Sequence, residues 1–283
     1  MPRSLARPLE GLAAEYAPGA EIPRHHHPFA QLLYASSGVM TVTTEHGTWV
    51  VPPERAVWVP ARVEHSIRMT GRVSMRTIYV SEALGPLAGS ACCVVQVSAL
   101  LRESILRAVE FAQPYREDGP EARVVAVIAD EIRAAPSAPL HLPMPRDARA
   151  RRVADALRTN PGDPRTLAGW ARVAGASART LERLFERETA LAFAAWRQQA
   201  RLLRGLELLA SGVPVTLVAL DLGYETPSAF IAMFRRALGT SPGRYFRRPR
   251  ADRRSARSER KFRAASHRRA KTIGWASEDR TGG

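Results

Sequence analysis

One short pattern of caps, apolar residues and a glycine occurs twice in this chain, 48 residues apart, and constrains the fold more than any other feature. Thr166 can cap a helix containing Leu167, Trp170 and Ala171; Gly175 supplies a turn and Ser177 caps the next helix. Further on, Pro214 opens a helix with Leu217, Val218 and Ala219, Gly223 turns the chain, and Thr226-Pro227 starts another helix. Ala171 and Gly175 are four residues apart, as are Ala219 and Gly223. The small alanine lets two helices cross closely, and glycine accepts the positive φ of a tight turn. Two helix-turn-helix units are therefore expected, at 166–187 and 214–238. Leu181, Leu184 and Phe185 form the apolar face of the first unit's second helix, so Arg179, Glu182 and Arg183 rotate outward. In the second unit Phe230, Met233 and Phe234 take the buried face.

Residues 192–210 between the units read as an amphipathic helix with Phe193, Trp196, Leu203 and Leu206 near one face. Such a helix spans about 28 Å, close to the roughly 34 Å between successive major-groove faces of B-DNA. Charge favours that comparison over helical hairpins that only pack. The net charge is +15, but residues 1–145 carry 13 basic and 14 acidic side chains, against 18 and 9 in residues 146–248 and 11 and 4 in residues 249–283. A neutral first part joined to a basic second part suits a sensing or catalytic domain attached to a binder of double-stranded DNA.

The remaining composition bounds the class. At 283 residues, 45% hydrophobic and 24% charged, most of the chain should fold, as two ordinary domains or one large one. Only Cys92 and Cys93 occur, which excludes a disulfide framework and zinc-finger spacing; small apolar fillers suit them better than a redox pair. No apolar run approaches a membrane span and no signal-peptide pattern opens the chain, so a cytoplasmic protein with no membrane partner is expected.

Residues 19–82 read as short strands, with alternation at Val39–Thr44 and turns at Ser36-Ser37-Gly38 and Glu45-His46-Gly47. After residue 97 the period becomes helical, predicting helices near 98–113 and 120–134. Pro136, Pro139, Pro143 and Pro145 then mark a linker. The expected fold class is α+β in two domains: a β-barrel with following helices, then an all-α double helix-turn-helix. Its expected divisions are 1–97 (barrel), 98–135 (helices for dimerisation or packing), 136–147 (linker), 148–248 (DNA-binding) and 249–283 (a basic, disordered tail).

Gly223-Tyr224-Glu225-Thr226-Pro227-Ser228-Ala229-Phe230, followed by Phe234-Arg235-Arg236-Ala237-Leu238-Gly239-Thr240-Ser241-Pro242, resembles the C-terminal signature of the AraC/XylS transcription regulators. Ser177 to Phe185 is similar to that family's first recognition helix, and the resemblance covers roughly residues 147–248. It implies DNA contacts from Ser177, Arg179, Thr180, Glu182, Arg183 and Arg187 in the first unit, and from Thr226, Ser228, Ala232, Arg235 and Arg236 in the second. Family members often carry a longer polar or basic side chain where Ala232 stands, which assigns the second unit to gripping phosphates more than to reading bases.

In the first domain Gly19, His25, His27, Gln31 and Gly38 resemble the first cupin motif, and Pro60-Ala61-Arg62-Val63-Glu64-His65 resembles the second. Gln31 stands where the family usually has Glu, Met69 where Asn often follows, and Arg62 where Gly is usual. Two histidines one residue apart on a strand share a face. With His65 and Gln31 they could hold a divalent metal, line a metal-free ligand pocket, or serve structure alone; no cofactor is required by the sequence. Tyr34, Trp49 and Trp58 are the expected lining of an effector pocket. The combined reading is a homodimeric, sequence-specific DNA-binding regulator that is not an enzyme and answers to a small ligand in the barrel. The rival is a metal-dependent cupin enzyme fused to a DNA-binding domain.

Overall fold

The computed structural model describes residues 5–246. The expectation of a disordered tail at 249–283 lies outside the described residues. Two long strands, β3 (Ala30–Thr44) and β6 (His65–Val80), form the spine of a wholly antiparallel barrel-like sheet and pair from Ala30 opposite Val80 to Thr43 opposite Ser66. They are far longer than the short strands the turn spacing suggested. Gly38 explains how one strand serves both halves: its φ is +79°, the register shifts around it, and a Cβ there would lie 2.5 Å from the Arg72 carbonyl oxygen. β1 (Leu9–Tyr16) and β2 (Glu21–His25) pair with β6; β4 (Gly47–Val51) and β5 (Arg55–Val59) pair with β3; β7 (Cys93–Gln96) pairs with β5. β1 escaped the sequence pattern because only Leu9 and Leu12 are buried along it.

Side chains alternate across the sheet, so each strand serves two cores. Leu33, Val57, Val59, Ile67, Met69 and Met75 face inward. Leu32, Tyr34, Ala56, Trp58, Ile78 and Val80 face α1 (Ala99–Ala108) and α2 (Pro120–Ala134), packing on Leu101, Ile105, Val125 and Ile128. α1 stops short of the expected residue 113 because the chain at Val109 folds tightly onto β1: a Cβ on Gly11 would lie 2.7 Å from the Val109 Cα. Cys92 and Cys93 are half-buried free thiols, and burial pushes the Cys92 thiol up to about 12, which makes it unreactive.

The proline-rich stretch is not the plain linker expected at 136–147. β8 (Ser137–Ala138) pairs with β7, and β9 (His141–Pro143) pairs with β4, where His141 stacks on Trp49 at 4.3 Å. The prolines are compatible because these strands are very short and lie at the sheet's margin, where a missing N–H leaves few pairings unmade.

The helical half comprises α3 (Ala148–Thr159), α4 (Leu167–Ala174), α5 (Ala178–Thr189), α6 (Phe193–Ala210), α7 (Val215–Asp221), α8 (Pro227–Leu238) and the short α9 (Pro242–Tyr245). Thr166, Ser177 and Thr226 accept backbone N–H bonds as caps, and Gly175 and Gly223 turn the chain at φ +65° and +72°. Val218 and Ala219 are buried as the pattern requires, whereas Leu217 is exposed. The barrel and the helices share one core, and polar contacts cross it: the Trp196 indole donates to the Pro143 carbonyl at 2.6 Å, and Thr41 donates to Glu207 at 2.7 Å.

The loop leading into the first helix-turn-helix unit meets the second unit backbone to backbone. A Cβ on Gly162 would lie 2.1 Å from the Asp221 carbonyl oxygen at the end of α7, and one on Gly223 would lie 2.6 Å from the Gly162 oxygen. Gly162→Ala is therefore expected to destabilise the protein by about 1–3 kcal/mol, since the backbone must shift to admit the methyl. Gly243→Ala, with open space around it, should stay within about 0.5 kcal/mol of wild type. Denaturant unfolding compares them, and equal midpoints would show that this contact does not fix the two units.

Candidate DNA interface and histidine cluster

On α5 the side chains of Arg179 and Arg183 are exposed, lie one turn apart and have no carboxylate partner among the described residues. Ser177 and Thr180 are tied to the cap, their hydroxyls 2.8 Å apart, and Arg187 pairs with Glu188 at 2.8 Å. Glu182 behaves differently from its expected role in the groove. It is half-buried, and its Oε1 accepts the backbone N–H of Phe193 at 3.1 Å. The residue at the N-cap of α6, Ala192, has no side chain able to cap it, so Glu182 supplies the missing acceptor from the neighbouring helix. The absence of Ser, Thr, Asp or Asn before Phe193 was the available signal. On α8, Thr226 caps the helix, Ser228 and Ala232 are exposed, and Arg235 and Arg236 occupy its last turn, where the helix dipole favours cations.

In the barrel, the ligand-capable nitrogens of His25, His27 and His65 lie within 4.8 Å of one another. The Nδ1 atoms of His25 and His65 lie 2.7 Å and 2.9 Å from the carbonyl oxygens of Pro23 and Val63. A carbonyl only accepts, so both Nδ1 atoms carry the proton and both Nε2 atoms present a lone pair. His65 Nε2 has no hydrogen-bond partner among the described residues. Burial, reinforced by the neighbouring histidines, pushes His27 down to about 3 and His65 to about 4; burial also lowers His25. All three are neutral at pH 7, the form that binds a metal. Gln31 is buried opposite Tyr79, with its amide N–H₂ donating to Thr77 and its Oε1 without a partner among the described residues. Tyr79, which the sequence pattern did not single out, packs edge-on to His27 at 5.2 Å, and burial raises its phenol.

The three aromatic residues expected to line an effector pocket do not share a cavity. Tyr34 and Trp58 point outward into the core beneath α1 and α2, and the Trp58 indole donates to the Gly89 carbonyl at 3.0 Å. Trp49 is buried against His141. The physical reason is strand parity: positions 34 and 58 lie on the face opposite Leu33, Val57 and Val59.

A barrel of this kind joined to paired helix-turn-helix units defines a DNA-binding transcription regulator of two domains. A helix-turn-helix domain model matches residues 170–248 and a cupin domain model matches residues 13–81. The chain is 36% identical to the HTH-type transcriptional regulator NimR of Escherichia coli K12 over 226 residues, 80% of this chain and 82% of that protein. It belongs to the AraC/XylS family of transcription regulators. It is also 38% identical to the HTH-type transcriptional regulator RipA of Corynebacterium glutamicum over 37% of this chain and 31% of that one. Among solved structures, the C-terminal domain of AraT, a response regulator from Geobacillus stearothermophilus, is 25% identical with a TM-score of 0.34, covering 35% of this chain and 84% of its own.

The capping geometry separates structure from readout at Glu182. Glu182→Ala is expected to cost about 0.5–2 kcal/mol of stability, the usual price of losing a helix cap, while leaving the preferred DNA sequence unchanged. Thermal unfolding and binding-site selection on the variant measure the two effects, and a changed base preference with intact stability would return Glu182 to the groove.

Proposed function

We propose that this regulator reads bases chiefly with Arg179 and Arg183 on α5, and that a small ligand in the barrel alters how the barrel holds α6. The observation that carries this reading is the placement of α6. It joins the two helix-turn-helix units and carries Glu207, whose carboxylate accepts from Thr41 of the barrel and pairs with Arg204 at 3.1 Å. A change inside the barrel that moved β3 would reach the helix linking both DNA readers without a separate relay. The rival assignment of the barrel as an enzyme has less support, because β6, which carries His65, also bears Arg68, 3.6 Å from the Glu207 carboxylate of α6. The exposed Leu100 and Val127 on the α1–α2 face support a homodimer formed through those helices. A role at DNA favours the cytoplasm as the protein's location.

A binding-site selection tests the base-reading assignment. An arginine bidentate to guanine is worth about 1–3 kcal/mol of discrimination, so Arg179→Ala and Arg183→Ala should each relax preference at specific positions. Folding should stay within about 0.5 kcal/mol of wild type, since both side chains are exposed. If both variants keep the wild-type preference and merely bind every sequence more weakly, these arginines grip phosphates instead.

The histidine cluster is assigned to a divalent metal, with the Nε2 atoms of His25 and His65 and a ring nitrogen of His27 as ligands. The donor chemistry fits: two Nδ1 atoms are already committed to carbonyls, an arrangement that orients imidazoles toward an ion. Metal analysis of purified full-length protein should find about one ion per chain, lost in the His27→Ala/His65→Ala double variant. Metal-free wild-type protein that still changes its DNA affinity on binding a small molecule would exclude the ion from sensing.

A further inference from the structure

A cleft of about 520 Å³ opens between the two helix-turn-helix units, and its charge pattern has no counterpart in the contacts described so far. Leu167, Phe193 and Met233 line it together with Arg197, Arg201 and Arg236, and no acidic side chain contributes to its wall. Several other guanidinium groups in this half of the chain are compensated: Arg149 pairs with Asp147, Arg151 with Asp155, Arg165 with Asp163 and Arg204 with Glu207. The cleft arginines are held differently. Arg197 donates to the carbonyls of Asp163 and Arg165, and Arg201 donates to that of Pro161 at 3.1 Å while lying 5.2 Å from the Tyr224 ring. Backbone carbonyls fix their direction without cancelling their charge. The Arg197 Nε is buried and has no hydrogen-bond partner among the described residues. Burial and the neighbouring Arg201 hold the Arg197 guanidinium below the usual arginine range, and the Asp163 carboxylate offsets this only in part.

We propose that this cleft is a phosphate site that seats the sugar-phosphate backbone of DNA between the two recognition helices. The inference rests on the reading that α5 and α8 enter the grooves, and adds where the strand between them is held. Three features favour a DNA backbone over a free anion. First, α6 presents different stripes to the barrel and to the cleft. Gln199 and Glu207 bond to barrel segments, whereas Ala194, Arg197 and Arg201 lie on the cleft side, so the docked barrel leaves the cleft uncovered. Second, the cleft is continuous with the outer face of α8 through Ala229, Ala232 and Arg236, so whatever fills it also lies along that helix. Third, Ala229 and Ala232 are both exposed and small, which gives a bulky backbone room to approach. Ala232 thereby acquires a role: it leaves space where a longer side chain would reach for a base.

The test uses full-length protein and a random-sequence duplex, so that base reading does not enter. Gln198 is exposed at the cleft and makes no hydrogen bond among the described residues, so Gln198→Glu places a negative charge there without removing a structural contact. Arg236→Ala removes the most exposed guanidinium, and Arg123→Ala on α2, away from the cleft, serves as control. For Gln198→Glu and Arg236→Ala, the slope of log affinity against log salt should fall by about one, the value of one lost phosphate contact. Arg123→Ala should keep the wild-type slope. Wild-type slopes in both cleft variants would overturn the proposal. Inorganic pyrophosphate tests the other source of the same chemistry. If it raises the melting temperature of wild type but not of Gln198→Glu, while the DNA slopes stay equal, the cleft holds a small anion and the DNA assignment is wrong. Failure of the underlying reading would look different, as wild-type protein with no salt-dependent affinity for the duplex.

Discussion

The carboxylate of Glu207 is buried near the C-terminal end of the helix that joins the two DNA-reading units, and the docking of the whole molecule depends on how it is satisfied. A buried carboxylate is costly unless paired, and here the partners come from two domains. Arg204 on the same helix reaches one oxygen, while Thr41 donates to the other, with Arg68 3.6 Å from it. Neither domain alone supplies the full set. Around this polar point the packing is apolar and continuous, and Gly71 lies so close to the end of α6 that a Cβ would sit 2.8 Å from the Ala210 carbonyl oxygen. The barrel thus holds α6 along one side, α6 positions α5 and α8, and the Gly162–Asp221 contact ties the loop before the first unit to the second unit.

Legibility in the sequence followed the range over which each signal acts. The helix-turn-helix units were readable because their determinants are local: a capping hydroxyl, a glycine that turns, and an apolar stripe within a dozen residues. Thr166, Gly175, Ser177, Gly223 and Thr226 all act where the pattern placed them. Glu182 defeated the same reasoning because its partner is the start of another helix. An outward position on a helical wheel says where a side chain leaves its own helix, and nothing about which neighbour it meets.

The barrel was harder to read, for reasons of parity and register. His25, His27 and His65 converge because β2 pairs with β6 so that His25 lies opposite His65, a long-range fact that the resemblance to cupins supplied and alternation alone did not. The aromatic residues were misplaced because a large side chain beside a strand is as readily the floor of an outer core as the wall of an inner pocket. Tyr34 and Trp58 differ from Leu33 and Val57 by a single position, and that position decides which core they join. Prolines at 136–145 suggested an irregular connector, yet strands two and three residues long need too few hydrogen bonds for proline to exclude them.

Those short strands also determine what kind of movement the molecule can make. Residues between the domains are stitched to β7 and β4, and their carbonyls at Pro139, His141 and Pro143 receive side chains from α6. The connection therefore has almost no slack. A flexible tether would let the domains drift apart by degrees, whereas here separation must break strand pairing, an indole bond and an amide bond together. The joint behaves as a seam rather than a hinge, and its opening is a threshold event.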